Sequence, residues 1–127
     1  MTRVLIAVSC VSAALLFDVQ PTPAGQKLPL KVLYAGNPGS DREKEFLDFL
    51  RPEFDKVAPA SLKSFTPAEA DGYDVVIMDW TSPLGAKGEF HMPPAPQLPQ
   101  DYARPTIMIG AAGGNIGNTL KLKLSWL

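Results

Sequence analysis

Asp79 and Trp80 close the apolar run Tyr73 to Trp80, so a carboxylate and an indole stand together at the end of a buried strand. Jointly they suit a polyol or another polar substrate. Equally, Asp79 would cap the following turn and Trp80 would cover the sheet end. Asn37 lies within a Gly-Asn-Pro-Gly turn and Ser40 follows it, where each also has a purely local use in turn and cap chemistry. Gly113, Gly114 and Asn115 follow a second apolar run and could present backbone N–H groups at a helix N-terminus to an anion, or merely permit tight packing. These seven residues are the candidate ligand-binding set.

Other chemistry is excluded or weak. In the form Gly-x-nucleophile-x-Gly, the segment Gly110 to Gly114 puts Ala112 where a nucleophile would stand, which removes acyl transfer through that residue. No Gly-Lys-Ser/Thr follows, so it is not a phosphate-binding P-loop either. The one histidine, His91, lies two residues from Glu89 in a proline-rich stretch and is a slight metal hint beside a solvated loop histidine. No cofactor and no metal are expected. The one cysteine, Cys10, lies in an N-terminal leader, so disulfides, thiolate catalysis and cysteine-ligated metals are absent from the rest of the chain.

That leader runs from Val4 to Phe17 with 12 apolar residues in 14, behind Arg3. It is too short for a bilayer core of about 30 Å and reads as a signal peptide, 1–24, cleaved after Ala24. Only six residues or so precede Cys10 as a hydrophobic region, a poor lipobox. A secreted or periplasmic product with no membrane segment after cleavage is expected. Residues 25–127 are enough for one small domain. Their 11 basic and 12 acidic residues form no basic cluster, which rules out nucleic acid as a principal partner.

The elements that must position the candidates follow from patterning. Leu28 to Ala35 reads as a strand buried on both faces. Ser40 followed by Glu43 is a capping box, and Phe46, Leu47, Phe49, Leu50 and Phe54 recur at helical spacing until Pro52 ends or kinks the helix near Leu50. Val57 to Phe65 is a short strand with Pro59 demoting its start. Thr66, Pro67 and Glu69 start a single helical turn before Asp71-Gly72. Ser82 to Pro105, with six prolines and two glycines in 24 residues, is a long loop; Met92 to Pro99 lacks the flanking basic residues of a polyproline ligand and reads more simply as a lid or packed loop. Pro105 to Gly110 returns to strand, Ala111 to Asn115 is a glycine-rich turn, and Ile116 to Leu127 is a closing helix chosen over an alternating strand. Such alternation means an α/β layer with a mostly parallel sheet, in which ligands bind beyond the carboxyl ends of the strands.

The segments Val32 to Gly39, Asp71 to Trp80 and Pro105 to Gly114 resemble the first half of the class I glutamine amidotransferase-like superfamily, in its ThuA-like (trehalose utilisation) branch. The resemblance covers about residues 30 to 120 and implies a flavodoxin-like layered fold with a pocket at the strand ends. It also implies a domain that lacks the amidotransferase cysteine and stands near carbohydrate metabolism. The expected function is therefore binding of a small polar ligand, such as a carbohydrate. The alternatives are a hydrolase or isomerase using Asp79 as general base with groups outside this chain, or an interaction protein acting through the loop from Pro83 to Pro99. Oligomeric state stays open. The small strand count and the apolar ending at Leu124, Trp126 and Leu127 lead to a further expectation, a domain truncated at its C-terminus that exposes hydrophobic surface.

Overall fold

The structure, a computed structural model, describes residues 25–81, 87–89 and 91–122. The leader, the cleavage site and the apolar residues Leu124, Trp126 and Leu127 lie outside the described residues. The elements are β1 (Leu28–Gly36), α1 (Asp41–Leu50), β2 (Phe54–Ser61), a 3-10 turn (Pro67–Ala70), β3 (Val75–Trp80), β4 (Thr106–Gly110) and α2 (Ala111–Thr119). All four strands are parallel, in the order β2-β1-β3-β4. This is a flavodoxin-like α/β fold. No helix among the described residues is long and apolar enough to cross a membrane.

Successive side chains of a strand point to opposite faces, and that alternation splits the core in two. On one face Val32, Tyr34 and Ile77 meet Leu47 and Leu50 of α1. On the other, Leu33, Ala35, Val76 and Met78 meet Ala112 and Ile116 of α2, together with Leu62, Phe65, Ala70 and Leu98 from the connections. The chain returns from β3 to β4 on this second face, where Pro93, Pro96 and Leu98 are buried. The Asn115 amide donates to the Pro93 carbonyl at 2.6 Å and ties the proline-rich stretch to α2. Its described part is a packed strap, as the lid-or-packed-loop reading expects.

Two boundaries differ from the sequence expectation. Phe54 continues the helical stripe of α1 but opens β2 instead, because the helix stops at Leu50 and Glu53 turns back onto the Leu50 carbonyl. The side chain joins the same cluster from a strand. β2 then ends at Ser61 rather than Phe65, leaving Leu62 and Phe65 as buried anchors of the connection. Pro59 lies inside β2, opposite Tyr34. Leu62 donates its N–H to Gly36, so by alternation the ring nitrogen of Pro59 faces the open side of an edge strand, where no donor is needed.

The largest correction concerns the glycine-rich segment. Ala111 to Asn115 is not a turn but the first half of α2, and the helix ends at Thr119, short of the expected span. Gly110 alone makes the turn, at φ 64° and ψ −143°, a region close to the one that only glycine adopts freely. The small residues that follow let the helix axis approach the sheet. Ala112 is fully buried, and a Cβ on Gly113 would already touch the Met108 Cβ at 3.6 Å.

Candidate functional site

The strand order reverses between β1 and β3, so the crevice that an open α/β sheet offers to ligands lies beyond the carboxyl ends of those two strands. One wall is the turn after β1. The Ser40 hydroxyl donates to the Asn37 carbonyl at 2.8 Å and accepts the Glu43 N–H at 3.2 Å, the N-cap bond that starts α1. Glu43 turns its carboxylate back to accept the Gly39 N–H at 2.7 Å, one residue earlier than a standard capping box. Ser40 is thus committed to capping, and the Asn37 side chain stands exposed beside it.

The floor is a buried ionic network. Asp79 is only 2 % exposed and accepts three hydrogen bonds. The Tyr34 hydroxyl donates to Oδ2 at 2.6 Å, Arg42 Nε to the same oxygen at 2.6 Å, and Arg42 Nη2 to Oδ1 at 2.9 Å. A two-pronged arginine–carboxylate pair fixes both groups in one plane. The Tyr34 ring stacks on Phe46, with centroids 5.2 Å apart, and the Arg42 guanidinium lies 5.1 Å from the centre of the same Phe46 ring. Arg42 is the half-exposed member; its Nη1 carries no hydrogen bond among the described residues.

Two protonation equilibria move in consequence. Burial pushes the Tyr34 phenol well above its ordinary range, helped by its hydrogen bond to Asp79 and by that carboxylate's charge. The hydrogen bond to Asp79 likewise raises Arg42, against the cost of burial. For Tyr34 the sign is that of a group whose folded-state value is raised. Its stabilisation is present in full below the unfolded phenol value near 10 and is lost as the pH rises beyond it. We expect wild-type stability to fall above about pH 10 and Tyr34→Phe to flatten that alkaline decline. Urea midpoints followed from pH 8 to 11 check this, and identical slopes in both proteins would disprove it.

The seven candidates do not form one site. Asn37, Ser40 and Asp79 gather on the α1 side. Asp79 bonds Tyr34 and Arg42, and with both oxygens engaged it offers little room for a general base; the turn that follows it lies largely outside the described residues. Trp80 points to the opposite face, packs against the α2 cluster and carries the Lys63 ammonium 5.6 Å from its ring centre. The period of two along a strand therefore separates carboxylate and indole, which cannot share a ligand on one face. Gly113 and Gly114 lie within α2, and Asn115 is engaged with Pro93.

Gly110, not Ala112, occupies the strained strand-to-helix position, and a Cβ there would sit 2.3 Å from the Trp80 carbonyl oxygen. No side chain of any kind fits at that point. His91 and Glu89 approach to 3.5 Å, both well exposed, and no group of three or more potential ligands able to hold a metal occurs among the described residues.

Nothing in the spacing singled out Tyr34 or Arg42. One signal was available for Arg42: a cation in the first turn of a helix opposes the helix dipole, so it needs a partner elsewhere. No protein-family model, no curated protein and no solved structure matches this chain.

Proposed function

We propose that the chain binds a small, uncharged polar ligand, such as a carbohydrate, in the crevice at the carboxyl ends of β1 and β3. The observation that carries this reading is the Arg42 guanidinium, locked by buried Asp79 on a side chain that stays partly exposed at the reversal of strand order. Its charge is already balanced by Asp79, and the helix terminus beside it already holds the chain's own Glu43 carboxylate. A strong anion would gain little there. Hydroxyl groups would accept from Arg42 and exchange hydrogen bonds with the exposed Asn37 amide. The resemblance to ThuA-like domains supports the same location and ligand class, and the leader-like N-terminus supports action outside the cytoplasm.

A thermal-shift panel of neutral sugars, polyols and small acids tests the reading. Neutral polyols should raise the melting temperature. At a ligand concentration a hundred times Kd the gain is about 2.7 kcal/mol. Asn37→Ala should reduce the shift without changing the unliganded melting temperature. A panel with no stabilising member, or with acids alone stabilising, would refute the proposal.

A further inference from the structure

β1 ends in a glycine that its own backbone does not require. Gly36 has no positive φ, and its carbonyl accepts the Leu62 N–H at 2.8 Å, so the main chain there is strand that any residue could adopt. Glycine weakens a strand, and within one it marks a place where another group comes close. Here that group is the ring of Tyr34. A Cβ on Gly36 would stand 2.6 Å from Tyr34 Cε1 and 3.0 Å from both Cζ and the hydroxyl oxygen, well inside the roughly 3.5–4.0 Å of ordinary carbon contact. The register explains the crowding. Tyr34 is level with Ile77, so Asp79 is the next position of β3 on the same face, about 6.6 Å further along the strands. To set its hydroxyl on Asp79 Oδ2, the Tyr34 ring leans forward along β1 and lies over residue 36. Phe46 stacks on that ring, and pairing with β2 holds the Gly36 backbone, so an added Cβ has to be accommodated by the Tyr34 side chain.

We propose that Gly36 is a positioning residue for the ligand crevice: having no side chain, it admits the Tyr34 ring, which orients the Asp79 carboxylate that in turn holds Arg42. Only the last step, from Arg42 to a ligand, rests on the polyol-binding reading. The Tyr34 hydroxyl and Arg42 Nε share Asp79 Oδ2, each at 2.6 Å. Displacing the phenol therefore releases the carboxylate to turn and changes the plane in which the guanidinium is gripped. Gly36 differs in this from Gly110, where the obstacle is a backbone oxygen and the fold itself is at stake.

Nuclear magnetic resonance of the chain, isotope-labelled at the tyrosine Cζ, tests the first step without a ligand; the Tyr34 signal is the one lost in Tyr34→Phe. Gly36→Ala should shift that signal and speed exchange of the Tyr34 hydroxyl proton about tenfold or more, as expected of a phenol that has lost a charged acceptor, with the amide spectrum of β4 and α2 retained. Sorbitol, as a neutral polyol probe, should bind Gly36→Ala about tenfold more weakly than the wild type. Tyr34→Leu supplies the control, because its shorter side chain leaves no ring over residue 36. Adding Gly36→Ala to it should lower neither the urea midpoint nor the sorbitol affinity any further, and a Gly36→Ala chain that folds only in that background carries the same conclusion. A Tyr34 signal unmoved by Gly36→Ala, a sorbitol affinity unchanged despite a displaced Tyr34, or an equal loss of stability in both backgrounds would each overturn the proposal. A wild type that binds no sorbitol or other neutral polyol refutes the reading of the crevice instead, and the Tyr34 signals still decide the role of Gly36.

Discussion

Gly110→Ala is expected to cost about 4 kcal/mol, combining strain at a backbone conformation that L-residues avoid with a clash that no rotamer relieves. The obstacle is the Trp80 carbonyl oxygen, 2.3 Å from the new Cβ, and a backbone atom paired in the sheet cannot swing aside as a side chain tip can. β3 and β4 would have to part at their carboxyl ends, moving Trp80 and the start of α2 together. Domains of this size are stable by only about 5–15 kcal/mol, so the variant should show a much lower urea midpoint or fail to fold. A loss under about 1 kcal/mol would mean that Gly110 does not hold this turn. By contrast, Gly113→Ala should be mild, since its Cβ would meet Met108 only at ordinary contact distance within a helix that favours alanine.

The second large effect concerns Arg42. Arg42→Ala leaves the buried Asp79 carboxylate with the Tyr34 hydroxyl as its one side-chain partner among the described residues, and breaking a buried pair from one side costs roughly 3–5 kcal/mol. Water can follow the half-exposed guanidinium into the space it vacates, so about 3 kcal/mol is the expected value. Removing both charges together with Arg42→Met and Asp79→Leu should recover much of that loss, because no isolated charge then remains inside. Tyr34→Phe in that double variant should cost less than it does in the wild type, its acceptor having gone. Chemical denaturation of the wild type, Tyr34→Phe, the double variant and the double variant with Tyr34→Phe gives the coupling energy. If Arg42→Ala costs no more than an exposed ion pair, roughly 0.2–1 kcal/mol, the network is not a buried one. The variants also bear on function, because sugar binding that survives Arg42→Ala in folded protein would remove Arg42 from the ligand site.

By itself, the sequence determined those features whose causes lie within a few residues of one another. Ser40 and Glu43 sit three apart, and their cap forms from local hydrogen bonds whatever else the chain does. Val75 to Trp80 is apolar on both sides, which only a covered parallel strand accommodates, and the alternation of such runs with helical stripes dictates the α/β order. The separation of Asp79 from Trp80 was equally legible, since the period of two requires it.

Tertiary structure decided what local patterns leave degenerate. Phe54 fits a helical stripe and a strand start equally well, and only its pairing with Leu28 selects the strand. Five small residues after Gly110 read locally as a turn, yet become helix because packing on β3 and β4 rewards an axis close to the sheet. The Tyr34–Asp79 and Arg42–Asp79 contacts join residues 45 and 37 positions apart. No spacing rule encodes such pairs, because chain reversal through the sheet, rather than any local periodicity, brings a phenol, a guanidinium and a carboxylate to one buried point.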